Sequence, residues 1–69
     1  MMEPHVYKTI QITGSSASSS DQAVQVAIEK ASKSVHNLRW FHVTDTRGVI
    51  EHQRIAYWQV TLELGFTLD

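Results

Sequence analysis

Residues 55–68 alternate between apolar and mostly polar side chains along their whole length, which predicts one long strand with a fully apolar face. Successive side chains of a strand point to opposite sides, so all the apolar ones share a side of the sheet. A sheet with such a face needs an apolar cover, and this need constrains every other element. The apolar positions are Ala56, Trp58, Val60, Leu62, Leu64, Phe66 and Leu68.

The segment from Ser19 to Leu38 is the predicted cover. Its apolar residues recur three and four positions apart, which is typical of an amphipathic helix of about five turns. Ser19 and Gln22 resemble a capping box, and Asp21 adds a negative charge to the first turn. The apolar stripe consists of Val24, Ala27, Ile28, Ala31, Val35 and Leu38.

Two further strands are predicted. Residues 5–13 alternate and are rich in β-branched side chains, and Gly14–Ser20 has the composition of a loop. Residues 39–50 form the second strand pattern, in which Gly48 indicates a bulge or a close backbone approach. Residues 51–54 make a turn whose type cannot be read, because it contains neither glycine nor proline.

The expected fold is therefore α+β, in the order β-α-β-β. A three-stranded antiparallel sheet carries one helix on one face, in two layers, and residues 1–69 form a single domain. A core of this size barely offsets the conformational entropy of ordering the chain, about 1.5 kcal/mol per residue. The chain has no cysteine, so disulfides and thiolate zinc sites are excluded. Oligomerisation is the leading way to complete the buried surface.

Composition also argues against several functions. The formal net charge is −1 with no basic run, which gives no footprint for nucleic acid. No apolar stretch approaches the ~20 residues that span a bilayer, so no membrane association and a cytoplasmic location are expected. The four histidines lack metal-ligand spacing, and no metal site is expected. No G-x-S-x-G, G-x-G-x-x-G or P-loop motif is present, so no catalytic residue is assigned and an enzyme is not expected.

The sheet face without the helix carries the candidate site. Alternation places Phe41 on the helix side, where it is expected to join the core, and Trp40 on the other, where the indole needs a partner. An indole can stack a planar ligand, and the amide of Gln59 can read a heterocycle edge if the strands make the two residues neighbours. In the alternative, Trp40 is buried in a subunit interface and Gln59 is a solvated strand residue. The uncovered face is expected to carry Trp40, His42, Thr44, Thr46, Tyr57, Gln59 and Thr61.

A basic residue adds a second candidate. Arg47 beside Gly48 can bind a phosphate, because a guanidinium forks onto phosphate oxygens. The alternative is an ordinary surface ion pair with Asp45 or Glu51. His42 is a candidate ligand contact or interface hydrogen-bonding group.

From end to end the sequence resembles the dodecin family of small flavin-binding proteins. The most specific segments are Val35-His36-Asn37-Leu38-Arg39-Trp40-Phe41, Thr46-Arg47-Gly48 and Gln59-Val60-Thr61-Leu62, with Gly14-Ser15-Ser16 closing the first strand. The resemblance implies a hollow homododecamer that stores flavin and binds it in pairs at subunit interfaces, between tryptophans that quench its photochemistry. It implies that Trp40 stacks the flavin, that Gln59 bonds the isoalloxazine edge, and that Arg47 and Asp45 are candidate ligand contacts.

The expected ligand is FMN, or riboflavin or another flavin, and coenzyme A is a further ligand in some bacterial members. A coenzyme A or nucleotide carrier and a ligand-free structural cage are the alternatives. Three positions depart from the family pattern. Thr67 stands where some bacterial members have an arginine near the ligand channel, and His52-Gln53 replaces a common Asp-Gly turn. Tyr57-Trp58 replaces the usual His-Tyr pair, and Trp58 is expected to pack on the helix side.

Overall fold

The computed structural model describes residues 5–68, so the predicted domain 1–69 extends beyond the described residues at both ends. Its elements are β1 (Tyr7–Ser16), α1 (Ser20–Ala31), β2 (Leu38–Glu51) and β3 (Arg54–Thr67). The sheet order is β1-β3-β2, and both outer strands pair antiparallel with β3. The predicted β-α-β-β order and three-stranded antiparallel sheet are confirmed. The long strand with the apolar face is the central one.

The core lies where β3 meets α1. Val60, Leu62 and Leu64 of β3 are buried together with Ala23 and Ala27 of the helix, as the alternation predicted for the strand. Around them pack partly buried apolar side chains, namely Ile10, Ile12, Val24, Ile28, Ala31 and Leu38.

Helix α1 begins as predicted but ends earlier. Ser19 caps it, with its Oγ accepting a hydrogen bond from the Gln22 backbone N–H at 3.0 Å, and Asp21 lies in the first turn. The prediction of about five turns is wrong, because the helix ends at Ala31 and Leu38 belongs to β2.

The physical reason lies in the segment after the helix. The Ser32 hydroxyl donates to the Glu29 carbonyl at 2.7 Å, a local bond that serines make near helix ends. Asn37 has a φ of 65°, a left-handed conformation that turns the chain into β2. The apolar spacing of Val35 and Leu38 therefore continues a helical pattern into residues that are not helical.

Strand β1 is longer than predicted, because Gly14 to Ser16 belong to the strand and not to a loop. Gly14 is buried directly beneath the helix. A Cβ atom at Gly14 would overlap the carbonyl oxygen of Ala23 and lie 2.9 Å from Cβ of Ala27. Three small residues therefore allow the helix to approach the sheet closely.

The helix packs mainly on β1 and β3, and beyond Leu38 it leaves most of the helix side of β2 uncovered. Phe41 lies on that side, but its residue is 52% exposed, so the expectation that it joins the core is wrong. Between α1 and β2 runs a groove of about 240 Å³, lined by Asp21, Val24, Gln25, Ile28, Phe41 and Val43. In the order β1-β3-β2, the helix lies over β1 and the central strand β3. The outer strand β2 is therefore left at the edge of the helix–sheet contact.

A bulge in β2 changes which residues share a face. The register shifts between Val43 and Asp45, and Thr44 is the extra residue. Beyond the bulge Thr46 lies opposite Val60, on the helix side, while Asp45 and Arg47 point the other way. The expectation that Thr46 shares the face of Trp40 is therefore wrong. An inserted residue reverses the faces of everything after it.

Gly48 does not form the bulge predicted for it, since it pairs in register with Trp58. A Cβ atom at Gly48 would lie 3.8 Å from the Trp58 ring, an ordinary contact distance. The β2–β3 turn consists of His52 and Gln53, with φ values of 52° and 66°. Positive φ at both central residues is the signature of the type I′ turn that suits hairpins.

Candidate functional site

The sheet face that points away from α1, here called the open face, carries all four predicted site residues. Residues directly opposite each other in an antiparallel pair share a face. Trp40 lies opposite Gly65, and Arg47 lies opposite Gln59, with Asp45 on the same side. Trp58 belongs to the other face with Val60 and Leu62, as expected.

One end of the open face holds an aromatic surface formed by Trp40, Gly65 and Tyr7, here called the indole platform. A Cβ atom on Gly65 would overlap Cε2, Cζ2 and Cδ2 of Trp40, so the six-membered ring lies face-on over that glycine. Tyr7 reaches the indole from β1, with ring centroids 6.1 Å apart and planes tilted by 58°. Trp40 is nevertheless 40% exposed. The platform therefore presents a half-open apolar ring, backed by a flat stretch of central strand.

The next cross-strand pair on the open face is polar. Nδ1 of His42 lies 3.4 Å from Oε1 of Glu63, and both side chains are largely exposed. This long hydrogen bond places an acceptor and an imidazole beside the indole platform. His42 thus lies on the face predicted for it.

Further along the open face lies a group formed by Asp45, Arg47 and Gln59, here called the polar cluster. Nε of Arg47 donates to Oδ2 of Asp45 at 2.9 Å, and Nη2 donates to the same oxygen. Both side chains are about half exposed, so the ion pair is weak, roughly 0.2–1 kcal/mol. The alternative predicted for Arg47, a surface pair with Asp45, is what this structure contains.

The platform and the polar cluster are far apart within one chain. Gln59 and Gly65 lie six positions apart in β3, which corresponds to about 20 Å along an extended strand. The hypothesis that strand pairing makes Trp40 and Gln59 neighbours is therefore wrong for a single chain. The two groups share a face but not a site, unless a second copy brings them together.

Two members of the platform were missed by the sequence reasoning. Gly65 appeared only as one position of an alternating set, although a glycine in a strand interior signals close approach by another group. Tyr7 appeared only as a polar-side residue of β1. Neither contact follows from the spacing along the chain, because both depend on how the indole of Trp40 is turned.

Thr67, one of the positions at which the sequence departs from the expected pattern, is only 8% exposed. It lies opposite Tyr7, and its Oγ1 has no hydrogen-bond partner among the residues that the structure describes.

Comparison with known proteins identifies the family. The model of the Dodecin family matches residues 6–69. The chain belongs to the dodecin family. It is 38% identical to the dodecin of Thermus thermophilus over 64 residues, which are 93% of each chain.

Solved dodecin structures share the fold. A dodecin from Streptomyces davaonensis is 43% identical with a TM-score of 0.92, over 97% of this chain and 98% of that one. The calcium dodecin of Mycobacterium tuberculosis, described as calcium-chelating with a novel calcium-binding site, is 30% identical with a TM-score of 0.81. That match covers 93% of this dodecin and 91% of the other. Within residues 5–68 of this dodecin, no three His, Cys, Asp or Glu side chains are grouped to hold a metal ion.

Over the described part of the chain, no helix is both long and apolar enough to cross a bilayer.

Proposed function

We propose that this dodecin binds and sequesters a flavin, with the isoalloxazine ring stacked on the indole of Trp40. The observation that carries the proposal is the indole platform. A large aromatic ring lies flat over Gly65 on an open sheet face and keeps 40% of its residue surface exposed. An exposed indole face offers a large aromatic surface on which a planar ligand can stack. The platform therefore fits a flat tricyclic ring.

The polar cluster supplies the groups that would read the ligand's edge. The Gln59 amide offers one acceptor and two donors in a plane, which suits the hydrogen-bonding edge of a flavin. Because Gln59 lies about 20 Å along the strand from the platform of its own chain, the amide must come from another copy. The proposed site therefore lies between subunits, with Trp40 from one chain and Gln59 from another.

Several features support self-association of this kind. Most of the helix side of β2 is uncovered, and Phe41 and Val43 are exposed there. Both outer strands of the sheet, β1 and β2, have a free edge within the described chain. Membership of the dodecin family supports the proposal that the assembly is a homododecamer, with flavins held in pairs at the interfaces.

FMN is the flavin we propose, with riboflavin as the unphosphorylated alternative. Arg47 is the candidate phosphate contact, but its guanidinium is engaged with Asp45. An FMN phosphate would therefore compete with that carboxylate for the arginine. The exposed ion pair is weak enough for such an exchange.

The biological role that follows is storage and protection of flavin in the cytoplasm, without catalysis. A bound flavin supplies photochemistry that a stacked tryptophan quenches. The chain's own residues stack the ring, bond its edge and exclude water from its faces. A coenzyme A or nucleotide carrier and a ligand-free cage are the competing functions, and each predicts a different result below.

A fluorescence titration tests the proposal. FMN emission should fall on addition of purified protein at micromolar concentrations, and Trp40→Leu should abolish most of the quenching. Trp58→Leu is the matched control, because Trp58 lies on the helix side of the sheet and its loss should leave quenching intact. Full emission with the unmodified protein would refute flavin binding. Calorimetric binding of coenzyme A without FMN would favour the carrier, and binding of neither by an assembled oligomer would favour the cage.

A further inference from the structure

We infer that Tyr7 is a positioning residue for the indole platform: it fixes the orientation of the Trp40 ring and thereby sets the affinity for flavin. The expected effect on flavin affinity rests on the proposed function, whereas the contact between Tyr7 and Trp40 does not. The ring centroids of Tyr7 and Trp40 lie 6.1 Å apart, with planes tilted by 58°. These values fall within the range in which aromatic pairs attract each other edge to face.

The indole needs a contact with Tyr7 because its ring extends from β2 across the central strand. Trp40 starts on the outer strand β2, and its ring lies over Gly65 of the central strand. A glycine supports the ring from below but has no side chain to stop it sliding or turning in its own plane. Tyr7 stands on β1, on the far side of the central strand, and contacts the indole there. Tyr7 therefore restricts sideways movement of the indole, which Gly65 cannot do.

The backbone at Tyr7 is held in the sheet, and the residue is 45% exposed. It lies opposite Thr67 in the β1–β3 ladder, and the neighbouring Leu68 backbone N–H donates to the Val6 carbonyl at 3.1 Å. The His5 ring lies near the Tyr7 ring, with centroids 6.4 Å apart and planes tilted by 56°. A side chain with these contacts transmits the position of β1 to the indole.

Loss of the tyrosine ring should therefore leave the indole present but less ordered. A flavin must then order the ring on binding, which lowers its affinity. An aromatic pair of this kind corresponds to about a three- to tenfold change in a binding constant. The phenolic hydroxyl is not part of the argument, so phenylalanine should serve as well as tyrosine.

The experiment uses Tyr7→Leu, Tyr7→Phe and the control Val6→Ala, all in a Trp58→Phe background that leaves Trp40 as the only tryptophan. Val6 is the exposed residue that immediately precedes Tyr7 and β1, so its truncation tests for a general effect at that end of the strand. Three quantities are measured: oligomer mass by light scattering, the near-ultraviolet circular dichroism of the indole, and FMN affinity.

Tyr7→Leu should keep the oligomer, weaken the indole dichroism and lower FMN affinity about three- to tenfold. Tyr7→Phe and Val6→Ala should match the background protein in all three. Unchanged dichroism in Tyr7→Leu would overturn the inference, as would loss of dichroism in Tyr7→Phe. Loss of assembly in Tyr7→Leu alone would assign Tyr7 to an interface and also overturn it. If the background protein fails to bind FMN, the proposed function fails, while the dichroism still decides the role of Tyr7.

Discussion

Trp40 and Gly65 form a cross-strand pair in which the indole ring occupies the space that a side chain at position 65 would fill. The ring therefore lies down over the central strand instead of standing away from the sheet. Its far face is left parallel to a flat backbone, which is the arrangement that a stacked ligand needs. The glycine thus determines the shape of the candidate site without offering any group to bind.

Gly65→Ala should displace the indole and weaken flavin binding. The new Cβ would overlap three ring atoms, so the ring has to leave its place over β3. Loss of the stacking contact should cost about 0.5–1.5 kcal/mol, or up to about tenfold in FMN affinity. Fluorescence titration measures the change. Gly48→Ala is the matched control, because its Cβ finds only ordinary contacts at 3.8 Å, and equal losses in both variants would contradict the account.

Asp45→Asn should favour FMN over riboflavin. The substitution removes the negative charge that holds the Arg47 guanidinium and leaves that cation available to a phosphate. An exposed ion pair of this type limits the gain to about fivefold in the ratio of the two affinities. Parallel calorimetry with both ligands gives the ratio. Arg47→Gln should reduce it, and a ratio that neither variant changes would remove the polar cluster from phosphate recognition.

Gly14→Ala should destabilise the fold without acting on the open face. Its Cβ would overlap the Ala23 carbonyl oxygen, so the helix must move away from β1. Overpacking of a close interface costs about 1–3 kcal/mol. The midpoint of chemical unfolding should therefore fall, again with Gly48→Ala as the unaffected control. An unchanged midpoint would show that the helix sits less closely on the sheet than described.

Replacing His52-Gln53 by Asn-Gly should stabilise the protein. Both residues have positive φ, which costs most residues with a β-carbon about 1 kcal/mol. Asparagine and glycine adopt this conformation more readily. The unfolding midpoint should rise, while FMN affinity stays the same because the turn is remote from Trp40. A fall in stability would mean that the His52 or Gln53 side chain makes contacts in the assembled protein.

The sequence predicts most of the fold because the strongest patterns are long. The alternation of β3 correctly predicts that Val60, Leu62 and Leu64 are buried. Ser19 is correctly predicted to cap the start of the helix. The helix end at Ala31 is not predictable from apolar spacing, which continues as far as Leu38. The prediction of a loop at Gly14–Ser20 is wrong at Gly14 to Ser16 for a different reason, because only the tertiary contact shows that Gly14 lies in a strand beneath the helix.

The open face was predicted less well, for reasons of register. A single inserted residue, Thr44, moves Asp45 and Arg47 onto the face of Trp40, and alternation cannot anticipate an insertion. The separation of Trp40 from Gln59 depends on the pairing of β2 with β3, which the turn fixes and the turn sequence does not disclose. The contacts of Trp40 with Gly65 and Tyr7 depend on the orientation of its side chain.

The central claim is that one chain supplies Trp40 and another supplies Gln59 to the same flavin. Trp40→Leu and Gln59→Ala should each bind FMN poorly as pure oligomers. When the two variants are unfolded together and reassembled, some sites combine an intact Trp40 with an intact Gln59 from different chains. The account predicts that the mixed oligomers quench FMN at a concentration where neither variant alone does so. Mixed oligomers that quench no better than the average of the two variants would contradict it.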